Sequence, residues 1–320
     1  MADSSKTAIV TALIGNIAVA AVKFLAFAIG GSSAMLTEAV HSLVDTMNQL
    51  VLLFGRGMAR KPPDENHPFG HGLEVYFYTF IVALLIFLLG GAVGIYEGIH
   101  KVIHPEPIGH AWLNVGVIAV SFVLEGLSLS FGLKAARRSP SPVVRRILPT
   151  LNFLELMHYS KDPGIYEVLA EDSAAILGLL FALVGVVAAA WFGVPWADGA
   201  ASIAIGLLLM AVAGFLVMET KSLLTGEAAA PQVVDEVRRV LDADHRILAV
   251  CEIQSMHLGP QDILVAATID FKDDLTGPQL EKAADELTEK LKAAEPRITR
   301  VFLRPGEAVW ARSDGTRKGA

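Results

Sequence analysis

Apolar residues in this chain fall into long blocks rather than narrow stripes. Blocks at 8–29, 34–55, 73–99, 112–134, 164–190 and 197–219 each approach the ~20 mostly apolar residues that a membrane-spanning helix needs. Turn and breaker residues separate them: Gly30-Gly31-Ser32-Ser33, Arg60-Lys61-Pro62-Pro63, His104-Pro105-Glu106-Pro107 and Gly193-Val194-Pro195. Asp162-Pro163 reads as an N-cap with proline at the first helical position. From Pro231 the pattern changes. Residues 231–242 and 278–294 have helical periodicity, and 249–257, 262–271 and 298–304 read as strands. The expected fold is an α-helical membrane protein with six transmembrane helices (residues 1–225) plus a small cytoplasmic α+β domain (226–309). Residues 310–320 are expected to form a disordered tail.

Composition supports a membrane class. The chain is 53% hydrophobic and only 18% charged, too apolar for an ordinary soluble domain. The net charge of -7 argues against nucleic acid as a partner. A single cysteine, Cys251, excludes an intrachain disulfide framework and a multi-cysteine metal site. The short polar start, Met1 to Lys6, lacks the features of a cleaved signal, so the first block is expected to be retained as a span. Lys6, Arg56, Arg60, Lys61, Lys134, Arg137, Arg138, Arg145, Arg146, Lys161 and Lys221 all fall on one side of the predicted spans, and Lys101 alone on the other. The basic side, with both termini, is thus expected in the cytoplasm, in a bacterial inner membrane. Segment 136–162 then reads as a cytoplasmic loop, basic first and partly apolar from Leu148 to Met157.

The chemistry lies in charges that the apolar blocks should not contain. A charged group deep in a membrane costs at least ~2.5–3.5 kcal/mol to insert, so each is a functional suspect. His41 and Asp45 are one helical turn apart and share a face, which Asn48 and Gln49 extend. The fifth block carries Glu171 and Asp172. Adjacent residues diverge on a helix, so Asp172 is the favoured ligand and Glu171 an auxiliary ligand or proton carrier. Glu167, near Pro163, is expected at the interface. Imidazole plus carboxylates suits a divalent first-row metal. Glu38 precedes His41 by three residues and joins Asn48 as a possible auxiliary, while Asn16, Lys23, Glu97 and Glu125 read more simply as structural polar groups. A second cluster, Asp64-Glu65-Asn66-His67-Pro68-Phe69-Gly70-His71-Gly72, sets two histidines four apart beside an acid. The spacing fits either a zinc site or a hydrogen-bonded turn. His245, Cys251 and His257 are scattered candidates in the C-terminal domain. These residues read as a metal transporter. No H-E-x-x-H and no nucleophile beside the site favours an enzyme, and a passive channel would ignore a proton gradient.

At these residues the chain resembles the cation diffusion facilitator family over nearly its whole length. His41-Ser-Leu-Val-Asp45 matches the family's second-span motif, and Asp64 to Gly72 matches its D-x-N-H-x-x-G-H-G loop. Leu169-Ala-Glu171-Asp172-Ser-Ala-Ala looks like the branch containing mitochondrial zinc transporter nine. The resemblance implies a metallochaperone-like C-terminal domain, metal bound by the Asp64, His67 and His71 loop, and a homodimer exchanging cytoplasmic metal for protons. Zn²⁺ would be cargo, with no prosthetic group. Most zinc-selective members have histidine where this chain has Val168. The oxygen-rich site that results also suits Mn²⁺, Co²⁺ or Fe²⁺.

Overall fold

The computed structural model describes the backbone of residues 2–137, 141–147, 152, 155 and 161–307, with the side chains of 2–15, 144, 145 and 147 left aside. The described residues fall into two compact units. One comprises Met1–Arg60, Glu74–Ala135 and Pro163–Lys221; the other Lys61–Leu73, Ala136–Asp162 and Ser222–Ala320.

The first unit is helical. It contains α1 (Ala2–Gly30), α2 (Ser33–Ala59), α3 (Glu74–Leu85), a π-helical segment Ile86–Ala92, α4 (Val93–Ile103) and α5 (Ala111–Ala136). A short helix, α6 (Pro142–Ile147), belongs to the second unit; α7 (Pro163–Trp191) and α8 (Trp196–Leu224) complete the first. Among the described residues, four helical stretches are long and apolar enough to cross a membrane: Glu74–Ile103, Ala111–Ala136, Pro163–Trp191 and Trp196–Leu224. Asn16–Gly30 is a shorter apolar helix by the same measure. The protein is an integral membrane protein. α2 is 27 residues long but carries its polar groups inward, with Glu38, His41 and Asn48 all buried.

The turn after α1 forms because Gly31 adopts φ +68°, a conformation open to glycine. Ser32 then caps α2, its side chain accepting from the Met35 N–H at 3.1 Å. Asp198, fully buried at the start of α8, accepts from Ser32 Oγ (2.5 Å), Ser33 N (2.6 Å) and Ser33 Oγ (3.1 Å), tying this turn to the last span. The π segment and α4 approach α8 backbone to backbone. A Cβ on Gly98 would lie 2.6 Å from the Gly199 carbonyl oxygen, and one on Gly206 would lie 2.7 Å from that of Gly91. Small residues permit such contact where membrane helices have no hydrophobic drive to associate. Ser202 adds polar bonds, lying 2.6 Å from Thr37 Oγ1 and donating to the Gly94 carbonyl at 2.8 Å. The π segment lies within this seam, and the apolar block at 73–99 gives no sign of it.

The second unit holds α9 (Pro231–Asp242), β1 (Ile247–Gly259), β2 (Asp262–Phe271), α10 (Gly277–Ala294) and β3 (Ile298–Pro305). The strand order is β1-β2-β3, with β1/β2 antiparallel and β2/β3 parallel. β2 alternates strictly, burying Ile263, Val265, Ala267, Ile269 and Phe271. That face meets Val233, Val237 and Leu241 of α9 and Ala283, Leu287 and Leu291 of α10. Each fully buried aliphatic side chain contributes about 1.5–3 kcal/mol. Asp244 pins the α9–β1 connection through Arg246 (2.8 Å) and Lys290 (2.8 Å); the Arg246 guanidinium holds its carboxyl well below the usual range. Segment 136–162 is not only surface, since α6 buries Val143 in this core. Leu148 to Met157, apart from residues 152 and 155, and the predicted tail lie outside the described residues.

Candidate functional site

α2 and α7 place their polar residues on a common cavity of about 440 Å³ within the membrane unit. Asp45 lines it from α2, and Glu171 and Asp172 line it from α7. The divergence of adjacent residues does not separate Glu171 from Asp172, because the cavity is wide enough to meet both. His41 lies behind this wall, 1% exposed, with Nδ1 3.3 Å from Asp45 Oδ1. The contact is not aligned as a hydrogen bond. Both ring nitrogens of His41, Asp45 Oδ1 and Asp172 Oδ2 are buried with no hydrogen-bond partner among the described residues. Each such atom costs about 1–3 kcal/mol, which a cation or proton at the site would offset.

The auxiliary candidates divide. Asn48 donates to Glu171 Oε1 at 2.5 Å, so it positions a cavity carboxylate. Glu38 turns away, to a buried ion pair with Lys23 at 3.2 Å. Two acids emerge that the sequence reading set aside. Glu167, expected at the interface, is 1% exposed and lines the cavity; Glu125 of α5 lines it too. Glu167 lies one turn before Glu171, a spacing that could have shown it. Glu125 stands alone in its block and had no such signal. Val168, one turn before Asp172, presents an apolar side chain to the same cavity. The ligand atoms of the transport candidates are not gathered tightly. Among the described residues, the one set of three or more within 4.8 Å of one another is Asp64, His67 and His71.

That loop cluster is built differently. Asp64 Oδ1 accepts from the Asn66 N–H (2.9 Å) and the His67 N–H (2.7 Å), while Oδ2 is 3.0 Å from His71 Nε2. The His71 hydrogen bond and these backbone donors hold the Asp64 carboxyl down at about 2. The imidazoles of His67 and His71 have centroids 4.2 Å apart. The loop is moored on the sheet of its own unit. Arg300 donates to the Phe69 carbonyl at 2.9 Å and lies 5.3 Å over the Phe69 ring. A Cβ on Gly72 would come 2.3 Å from the Leu258 carbonyl oxygen, so glycine alone lets the chain pass there.

His245, Cys251 and His257 do not come together. His245 is exposed beside Asp244, at 3.8 Å. The Cys251 thiol faces the Gly306 carbonyl at 3.7 Å, and His257 Nδ1 lies 3.5 Å from the Gly259 carbonyl. Cys251 and His257 stand six positions apart on one strand, about 20 Å at the usual rise, too far to share an ion.

The comparisons with known proteins agree with this architecture. Residues 9–225 match the cation efflux transmembrane domain. The chain is 31% identical over 292 residues (90% of this chain, 51% of the relative) to the Xenopus laevis proton-coupled zinc antiporter SLC30A9, mitochondrial. It is 30% identical over 271 residues (85% and 58%) to Arabidopsis thaliana metal tolerance protein C4. It is 24% identical over 301 residues (94% and 95%) to the Bacillus subtilis manganese efflux system protein MneP. The chain spans about half the length of the antiporter it matches. The match across the membrane unit establishes that the chain belongs to the cation efflux family, the cation diffusion facilitators, in the branch of the zinc transporter nine type.

Proposed function

We propose that this protein moves a divalent metal, Zn²⁺ first, out of the cytoplasm in exchange for protons. The observation that carries this is the convergence of Asp45 on α2 and Glu171 and Asp172 on α7 around one cavity, beside a buried His41 whose ring nitrogens have no hydrogen-bond partner among the described residues. Imidazole nitrogen and carboxylate oxygen take either a proton or a metal ion. Metal binding therefore releases protons, and protons arriving from the other side displace metal. A cavity in the bundle that opens alternately to each side would couple the two fluxes. The name of the Xenopus relative, a proton-coupled zinc antiporter, supports the same reading.

In this reading α1 and α2 complete a six-span domain within residues 1–225, and residues 226–309 form the cytoplasmic α+β domain. The Lys/Arg asymmetry supports cytoplasmic termini, and the membrane in this reading is a bacterial inner membrane. The protein works as a homodimer, with lipid and metal as its other partners and no prosthetic group. Asp64, His67 and His71 hold a second ion in the loop. Manganese is the second reading for the cargo. Val168 gives the cavity an apolar wall where a nitrogen ligand would favour zinc, and MneP is named for manganese.

The test is Zn²⁺ uptake into proteoliposomes with and without an opposing proton gradient, for wild type and Asp45→Ala. Gradient-driven uptake lost in the variant is expected. Uptake indifferent to the gradient would replace the exchanger with a channel.

A further inference from the structure

Lys23 is the least expected side chain of the membrane unit. It sits on α1 with no exposed surface, in an otherwise uncharged block. Its ammonium donates to Glu38 Oε2 at 3.2 Å and to Ser42 Oγ at 2.7 Å, both on α2. A helix-to-helix bond would account for the pair, but its placement has a further effect. Ser42 lines the cavity, while neither Lys23 nor Glu38 does; through its bond to Ser42 the ammonium stands one side chain behind the cavity wall. The Glu38 carboxylate lies instead against Gly178 on α7, where an added Cβ would meet its Oε1 at 2.5 Å. The pair is a dipole whose positive end is turned toward the carboxylate half of the site.

That half is crowded with negative charge: Asp45, Glu125, Glu167, Glu171 and Asp172 all line the cavity, and the lining includes no lysine or arginine. Several carboxylates around one divalent ion in a low-dielectric space bind it tightly. A transporter must also let go.

We propose that Lys23 sets the affinity of the cavity: an ammonium held behind its wall by Ser42 and Glu38, which weakens divalent-metal binding enough for release. This rests on the metal-transport reading above. Lys23 is a positioning charge and does not itself contact the ion.

The test uses the full chain, purified in detergent and titrated with Zn²⁺ by calorimetry, then reconstituted to measure metal release. Lys23→Met/Glu38→Met removes both charges, an exchange that buried ion pairs often tolerate. Its Kd for Zn²⁺ is expected to fall roughly tenfold, with slower release. Ser42→Ala, which frees the ammonium from the cavity wall, is expected to lower Kd by about two- to threefold, and carries the test if the double variant does not fold. An unchanged or weaker affinity in the folded variants overturns the proposal. If Asp45→Ala loses the cavity's Zn²⁺ but keeps the loop's, while both variants match wild type, the Lys23 proposal alone fails. If wild type binds no Zn²⁺, or Asp45→Ala binds it as wild type does, the transport reading fails and takes this proposal with it.

Discussion

The membrane cavity and the Asp64 loop use the same residue types in opposite states. In the loop, ligand atoms of one acid and two histidines already lie within 4.8 Å, and the acid is satisfied by backbone donors. In the membrane site the acids are spread around about 440 Å³ with His41 behind them, and several polar atoms have no hydrogen-bond partner among the described residues. A preassembled cluster suits an ion that stays. A dispersed, unsatisfied set suits one that must be gathered and released, because contraction around the ion and relaxation after it leaves are both accessible.

The largest expected effect that would sharpen this contrast is on Asp172. Asp172→Ala should abolish metal flux in proteoliposomes yet leave loop-bound Zn²⁺ detectable by elemental analysis; retained flux would remove Asp172 from the site. His41→Ala should lower flux and alter the ratio of Zn²⁺ to Mn²⁺ transport, measured side by side, because it removes nitrogen and leaves oxygen. An unchanged ratio would place His41 outside the ligand set. The double variant His67→Ala/His71→Ala reverses the pattern: bound Zn²⁺ falls by one ion per chain while most flux persists. Unchanged stoichiometry would mean that the loop is a hydrogen-bonded turn.

The smallest effect concerns His257, in the same unit as the loop. Burial, with Arg297 adding to it, pushes its imidazole from 6.5 down to about 4. Between these values the unfolded chain binds more protons than the folded one, so stability rises with pH across that window and is lost on acidification. Protection factors of β1 amides in the full chain, taken relative to intrinsic exchange at each pH, should therefore fall between about pH 6.5 and about pH 4.5, and His257→Leu should flatten the trend. An equal slope in the variant would assign the acid sensitivity elsewhere.

The sequence showed the helices and strands well because each is written in a local period. The apolar blocks match the long helices, and strict alternation marks β2. His41 and Asp45 were legible because one helix turn joins them. Lys23–Glu38 was not, since the partners are 15 residues apart and meet only when α1 packs on α2. Glu125 was missed for the same reason: a lone acid on α5 gains meaning only from the α2 and α7 acids that share its cavity. The mooring of the loop by Arg300 joins residues 231 positions apart, beyond any local pattern.

The glycine seam between the Glu74–Ile103 helical stretch and α8 has a mechanical consequence. At Gly98–Gly199 and Gly91–Gly206 main chain meets main chain, with no layer of side chains between them to change rotamer and let one helix slip past the other. Sliding would drive carbonyl oxygens into opposing backbone atoms. These two spans therefore behave as one strut, and any motion that opens the cavity must be taken up around the strut instead of within it.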